Sequence, residues 1–397
     1  MSNPETWPNL PERVKSRFIS VNGLRMHILE AHPDDGNTKP PLVLLLHGFP
    51  ELAYSWRKVI GPLADAAFHV VAPDLRAVGR TTSTANPELE GHNVEYSDSL
   101  EPFRMTNMVK DIVALCYALG YDSVAAVVGH DFGSAVAAYC AVIRPDLFKS
   151  VVLMSAPFPG APQIKSEPLL PMVGGVDATW QKVTNALRGK NPPKKHYMVY
   201  YSTPEAAQDM DQPPNGLQAF FRGYYHVKSA DWKGNSEPPP HALPTNDVVG
   251  AMAASLPHYY VMPLEATMPT AVDSLGPSLG ATEWLTDAEL AVYVEEYGRT
   301  GFQGGLNWYR NRTGAGRQDD VALFFGKHIE VPAMFLSGSL DWGIYQAPGA
   351  TEAMRRKVCP KMGEADFVLI EGASHWVQQE KGAEVAQELL RFLKKVL

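Results

Sequence analysis

The stretch from Val124 to Ala138, VAAVVGHDFGSAVAA, leaves this chain few choices of fold. An apolar run breaks at Gly129-His130-Asp131-Phe132-Gly133, and small and apolar residues then continue at helical spacing through Ala141. Strand, sharp turn, helix is the order of a nucleophile elbow, whose flanking glycines let the backbone take a strained turn and lift the central side chain off a sheet. Here the lifted residue is Asp131. A serine in that place would need a base to activate it, whereas an aspartate is already an anion at neutral pH. A carboxylate so placed attacks an electrophilic carbon by displacement and leaves an ester on the protein.

The segments around the elbow fit one architecture. Phe18 to Leu29 reads as a hairpin about Asn22-Gly23, a dipeptide suited to positive φ. Pro41 to Leu46 is apolar without alternation, as in a strand buried on both faces of a parallel sheet. His69 to Leu75, Lys149 to Met154, Ala333 to Leu336 and Phe367 to Ile370 read as further strands, Met105 to Leu119 as an amphipathic helix, and a last helix starts near Glu384. Strand and helix alternate, so the expected class is α/β with a mostly parallel sheet flanked by helices and right-handed crossovers. Residues before about Pro11 read as a disordered or loosely docked tail. From Pro157 to about His328 the chain is rich in Pro, Gly, Tyr and Trp, with helical fragments and no buried-strand runs. We expect residues 157–328 to form a helical lid, with a Pro-rich excursion from Gly234 to Pro257, inserted between core segments 1–156 and 329–397.

Composition narrows the partners. The 397 residues are 45% hydrophobic and 20% charged, with a formal net charge of -8. Lys and Arg form no run longer than the single triplet Arg355-Arg356-Lys357, with isolated pairs such as Lys194-Lys195 elsewhere, which argues against nucleic acid and anionic membranes as partners. Cys116, Cys140 and Cys359 are odd in number and far apart, and read as free thiols in a reducing compartment with no metal-ligand spacing. The N-terminus has prolines and acids where a signal peptide needs an apolar run, and no stretch approaches a membrane span. A cytoplasmic location is the default expectation.

Three side chains sit where a triad of this architecture requires them: Asp131 on the elbow, Asp341 after a late strand, and His375 after the last. Singly, an Asp after a strand is usually a helix cap and a His near a C-terminus a half-buried polar group. Their order, joined to His47-Gly48-Phe49-Pro50-Glu51 after an earlier strand, favours catalysis. Asp366 competes with Asp341 but precedes a strand, at the wrong end of the sheet. The backbone amides of Phe49 and Phe132 are the candidate oxyanion donors. Glu51 has two readings, one placing water or tuning His375, the other an acid at a helix N-terminus favoured by the macrodipole. Glu51 and Trp376 are also candidates for contact with substrate.

Together HGFPE, GHDFG, LDWG, GxSHW and the stretch Gly301 to Asn311, GFQGGLNWYRN, resemble the soluble epoxide hydrolases of the α/β-hydrolase superfamily over nearly the whole chain from Val14. The resemblance is weakest from Val227 to Thr282, where the lid is longer than is usual in that family. It implies an α/β-hydrolase fold with an inserted helical cap, an epoxide substrate opened to a diol with water, and no metal or organic cofactor. It also implies two lid tyrosines on the epoxide oxygen. One is Tyr309, and the other opens a Y-x-x-x-[FY]-x-x-P pattern matched by Tyr197, Tyr201 and Pro204. Tyr200, Tyr201, Tyr224 and Tyr225 compete for that second place, with aromatic packing as the plain alternative.

Two other readings remain open at this point. A dehalogenase uses the same aspartate, acid and histidine; a haloalkane dehalogenase would carry tryptophan after the nucleophile, and a fluoroacetate-type enzyme arginine, where this chain has Phe132, a ring with no N–H to donate. A non-catalytic binding protein on this scaffold would have little need of all three triad residues. The Pro-rich excursion has three readings: it narrows the pocket, covers its mouth or serves a homodimer.

Overall fold

The structure is a computed structural model that describes residues 6–34, 36, 39–84, 93–163, 176–276 and 280–397. Its centre is a nine-stranded sheet. The strands are β1 (Lys15–Val21), β2 (Leu24–Ala31), β3 (Leu42–Leu46), β4 (His69–Pro73), β5 (Thr82–Ser83), β6 (Ala126–His130) and β7 (Val151–Met154), then, after a helical stretch with the short β8 (Lys194–His196) and β9 (Val261–Pro263), β10 (Ala333–Gly338) and β11 (Phe367–Ile370). They are ordered β1-β2-β4-β3-β6-β7-β10-β11, with β5 on β2; β1, β2 and β5 pair antiparallel and the rest parallel. The expected α/β-hydrolase architecture is therefore present.

Every residue of β3, β4, β6 and β7 is buried, which explains why their sequences do not alternate: helices cover both faces. Helices α1 (Ile60–Asp65), α2 (Met105–Ala118) and α3 (Phe132–Ile143) supply that cover together with the C-terminal helix Gly382–Val396. On α2 the buried Met108, Val109, Ile112, Leu115 and Cys116 fall on one side, the stripe that the 3.6-residue period requires. The hairpin turns on Asn22 (φ 45) and Gly23 (φ 72), both in the left-handed region that the dipeptide favours.

The chain winds to one side of β3 through β4 and to the other through β6, so the C-terminal ends of β3 and β6 flank the point where strand order reverses. Side chains there meet in an open crevice, the place where such sheets bind ligands. Leu46 pairs with Gly129, so the HGFPE loop and the elbow leave the sheet at the same level.

Over this edge lie α4 (Ala178–Arg188), α5 (Tyr197–Tyr201), α6 (Glu205–Asp211), α7 (Leu217–Val227), α8 (Val248–Ser255), α9 (Met268–Asp273), α10 (Asp287–Thr300) and α11 (Gln303–Thr313). They are fastened to the sheet by buried polar contacts. Arg57 Nε donates to Glu289 at 2.8 Å and its Nη1 to Gln379 Oε1 at 2.8 Å, Tyr225 Oη donates to the Pro50 carbonyl at 3.0 Å, and Tyr297 Oη to that of Glu51 at 3.2 Å. A buried pair such as Arg57–Glu289 adds little net stability but is costly to break singly, which favours one seating of the helices over slipped ones.

Two expectations need correction. The N-terminal segment is not loosely docked around Trp7, whose ring is buried and whose Nε1 donates to Glu296 at 3.1 Å, with Arg80 stacked on its face. The helical stretch is not free of strands, since β8 and β9 pair antiparallel across 64 intervening residues. Three-residue strands this far apart leave no local period to detect. The three cysteines are buried free thiols. Among the described residues no helix is long and apolar enough to cross a membrane.

Candidate active site

Asp131 occupies the turn between β6 and α3 with φ 52, ψ -116, a conformation that costs a non-glycine residue about 1–3 kcal/mol and persists only where its surroundings impose it. The glycines are the reason the turn closes. A Cβ on Gly129 would overlap the Gly133 carbonyl, and one on Gly133 would overlap the backbone of Leu46 and His47. Gly48 serves the same purpose from the facing loop: a Cβ there would collide with the Asp131 side chain. Close approach lets the Phe49 N–H donate to Asp131 Oδ1 at 3.1 Å.

The structure brings Asp131, His375 and Asp341 together. His375 Nε2 lies 3.5 Å from Asp131 Oδ2, and its Nδ1 lies 3.2 Å from both oxygens of Asp341. Asp341 is itself held by the Gly343 N–H at 2.6 Å and the Ser337 hydroxyl at 3.0 Å. Asp366, the competing acid, is at the other end of β11, paired with Lys395 at 2.6 Å and Arg391 at 3.5 Å. Burial would raise the Asp131 carboxyl, but hydrogen bonding and charge from His375, then the charges of Lys228 and His130, hold it well below the usual carboxylate range. Burial likewise opposes and His375 reverses the shift at Asp341, which also ends lowered.

Glu51 and Trp376 lie behind this triad and do not line the cavity that Asp131 faces. Glu51 is fully buried. It accepts from His130 Nδ1 at 2.5 Å, from the Gly48 N–H at 3.1 Å, and from the side-chain amides of Gln378 and Gln379. His130 Nε2 in turn reaches the His375 carbonyl at 2.7 Å, so Glu51 connects to the histidine loop through an imidazole and not directly. Burial would lower His130, yet Glu51 beside it raises it, so this imidazole holds a proton more tightly than usual and can donate from both nitrogens. Trp376 packs on Tyr225 at 4.4 Å between ring centroids, and its Nε1 donates to the Tyr225 carbonyl at 2.9 Å.

Tyr309 and Tyr197 lie together, their ring centroids 5.9 Å apart and both within the field of Asp131, with Tyr309 also 5.6 Å from the Phe49 ring. Paired glycines explain the GGLNWYRN stretch: a Cβ on Gly304 would strike the Ala77 carbonyl and one on Gly305 the Phe49 ring, so α11 can lie hard against the crevice. Tyr197 opens α5. Its N–H donates to the Tyr260 carbonyl at 2.9 Å and its hydroxyl to Gln346 Oε1 at 3.0 Å. Burial first, and then the charge of Asp131, keep both phenols protonated far above their ordinary range, as hydrogen-bond donors must be. Of the competing tyrosines, Tyr201 and Tyr224 bond each other at 3.1 Å, Tyr200 donates to Asp209 at 2.8 Å, and Tyr225 is spent on Pro50.

Sequence reasoning missed Lys228. It is 3% exposed, with its ammonium 5.3 Å from the Tyr224 ring, 5.0 Å from Tyr260 and 5.2 Å from Trp376, and its carbonyl accepts the His375 N–H at 3.0 Å. A buried ammonium over aromatic faces is a fixed positive charge that helps keep two nearby carboxylates ionised. Its only sequence signal is a lone lysine closing the aromatic run FFRGYYHV. Also missed was Glu380, which accepts from the N–H groups of Ser374, Trp376 and Ala230 and so clamps the loop that carries His375.

Sheet topology, with Asp131 on the elbow after β6, Asp341 after β10 and His375 after β11, is that of an α/β hydrolase with an aspartate in the elbow position. Comparison agrees: residues 41–382 match the family model described as alpha/beta hydrolase fold, and the chain belongs to that family, within its epoxide hydrolase group. It is 31% identical to epoxide hydrolase A of Mycobacterium tuberculosis over 95% of this chain and 96% of that one, and 29% identical to epoxide hydrolase 2 of Siraitia grosvenorii over 97% and 99%. Among solved structures it is similar to an epoxide hydrolase from an endophytic Streptomyces (TM-score 0.73, 28% identity, 97% of each chain) and to potato (Solanum tuberosum) epoxide hydrolase I (TM-score 0.69, 26% identity, 96% and 99%).

Proposed function

We propose that this protein converts epoxides to vicinal diols through a hydroxyalkyl ester of Asp131. The observation that carries the reading is an ionised carboxylate on the elbow, facing His375 on one side and two buried phenols on the other. Asp131 attacks a ring carbon while Tyr309 and Tyr197, the latter turning from Gln346, donate to the oxygen that becomes an alkoxide. Ring opening is thus assisted where negative charge develops. His375, oriented and stabilised as an imidazolium by Asp341, then takes a proton from water, which attacks the ester carbonyl. The Phe49 N–H already points at an Asp131 oxygen, and with the Phe132 N–H it would hold the tetrahedral oxyanion. Diol leaves and the carboxylate is restored; no step calls for a metal or organic cofactor.

In this reading residues 157–328 act as a lid that supplies both tyrosines to a core formed by 1–156 and 329–397. Buried reduced thiols support a cytoplasmic setting.

Turnover of a styrene-oxide-like epoxide and of a haloalkane, with diol and halide followed separately, tests the assignment. Diol without halide is expected; halide release in preference to diol would assign a dehalogenase, and neither product a binding protein. Phe132, stacked on Trp308 at 4.7 Å, offers a departing halide no N–H from its side chain.

Each tyrosine donates to a developing alkoxide, a charge-assisted bond of about 1.5–3 kcal/mol, or about 10- to 150-fold in rate. Tyr309→Phe and Tyr197→Phe are each expected to slow alkylation by that order, measured by rapid quench under single-turnover conditions. Unchanged alkylation rates in both variants would remove the electrophilic pair.

A further inference from the structure

The cavity that Asp131 faces has a volume of about 320 Å³ and mostly apolar walls, among them Trp180, Val183, Val248 and Met252. Arg312 also lines it. This arginine sits three residues after Tyr309 on α11, on the same side of the helix, so one short segment sets a phenol within the field of Asp131 and a guanidinium in the cavity wall. Its neighbours are satisfied: Arg310 donates to the Tyr96 carbonyl at 2.8 Å and to Asn307 at 2.9 Å, and Arg317 pairs with Glu101 at 2.7 Å. Arg312 has no such partner among the described residues. Asp320, which lines an adjoining cavity of about 280 Å³ with it, is held instead by Thr106 at 2.7 Å and by Arg104 at 3.9 Å.

A second donor stands beside it. His196 lines the same cavity, and its Nδ1 accepts the Met198 N–H at 3.3 Å. That bond leaves the proton of a neutral imidazole on Nε2, which is then a donor and not an acceptor. Burial first, with the charge of Arg312 second, pushes this imidazole down to about 3, so it stays neutral. A partly desolvated guanidinium with an N–H beside it, unpaired among apolar walls, is costly unless the molecule that fills the cavity brings an anion.

We infer that the epoxide this protein takes carries a carboxylate, and that Arg312, with His196 beside it, is the group that reads it. The substrate class rests on the hydrolase reading above; the anion site does not. A carboxylate suits the planar guanidinium, which can meet it through two parallel N–H···O bonds. Asp131 repels the same anion from the catalytic end of the cavity, so the two charges fix which end of the substrate is attacked.

Calorimetric titration of the full-length protein with octanoate and with its neutral isostere octanamide reads the site without turnover. Wild type is expected to bind octanoate about ten-fold or more tightly than the amide, the order of one charge-assisted hydrogen bond. Arg312→Gln should erase that preference, and Arg312→Lys, which keeps the charge but loses the planar fork, should retain part of it. Equal binding of acid and amide by wild type, or a preference that survives in Arg312→Gln, would overturn the inference. In parallel, the ratio of kcat/KM for an epoxy acid to that for its amide should fall in Arg312→Gln by the same factor. Absence of diol from both epoxides would count against the hydrolase reading alone, because the titration still decides the anion site.

Discussion

Asp131→Ala will form no measurable diol, a loss of at least about ten-thousand-fold in kcat, because removing a nucleophile that forms a covalent intermediate leaves only binding and the oxyanion donors. The substitution also touches a strained position. At φ 52 an alanine is less comfortable than an aspartate, so lost activity could arise from a relaxed turn. Asp131→Asn separates the two causes, since it keeps the shape and tolerates the same backbone but has no anionic oxygen. Both variants should retain the far-ultraviolet dichroism of the parent and both should be inactive. Full turnover in a folded Asp131→Ala protein would exclude the ester mechanism.

His375→Gln should behave differently. The amide cannot act as base toward water, but Asp131 keeps the Phe49 N–H and the charge of Lys228, and both tyrosines remain in place. Alkylation is therefore expected to proceed and hydrolysis to stop, so incubation with epoxide should add one substrate mass to the protein, on the peptide containing Asp131. Turnover would fall away after about one equivalent, with hydrolysis of the alkyl-enzyme ester slowed by a factor on the order of the 10²–10⁴ that general base catalysis contributes. Intact-protein mass spectrometry with no adduct, in a variant that still binds substrate, would dissociate His375 from the second step.

The legible and illegible parts of this molecule divide on a physical line. The elbow could be read from one window because its requirements are local: two glycines where a Cβ cannot fit, an apolar strand before and a small-residue helix after. Buried strands gave themselves away by not alternating. The positions of Asp341 and His375 followed from chain order alone, because strand ends in a parallel sheet share one edge. What escaped was whatever depends on pairing across long separations. β8 and β9 are each three residues long, yet their pairing sets where α5 begins and so where Tyr197 points. A tyrosine-rich segment could not disclose which phenol faces the nucleophile; the hydrogen bonds that occupy Tyr200, Tyr201 and Tyr225 are visible only in three dimensions. Lys228 looked like any surface lysine, and Arg312 like any basic residue at the end of a helix, where the macrodipole favours one. Glu51 had both a local and a catalytic reading, and the fold gives it a third, as the buried partner of His130.

The buried charges also form a connected set. Glu51 and His130 lie behind the triad, Asp131, His375 and Asp341 form it, and Lys228 sits above it among rings. Because each carboxylate has a cation beside it, the site can keep two aspartates ionised around one imidazole at neutral pH, as a mechanism that needs an anionic nucleophile and an anionic orienting acid demands.

The most direct measurement is a single turnover in water enriched in heavy oxygen, with enzyme in excess, followed by mass analysis of the Asp131 peptide and of the diol. If water attacks the ester carbonyl, the heavy atom appears in the Asp131 carboxylate and the diol of that first turnover takes its new oxygen from the protein, unlabelled. Heavy oxygen in the first-turnover diol, with none in the protein, would mean that water opens the ring directly and that Asp131 never bonds to substrate.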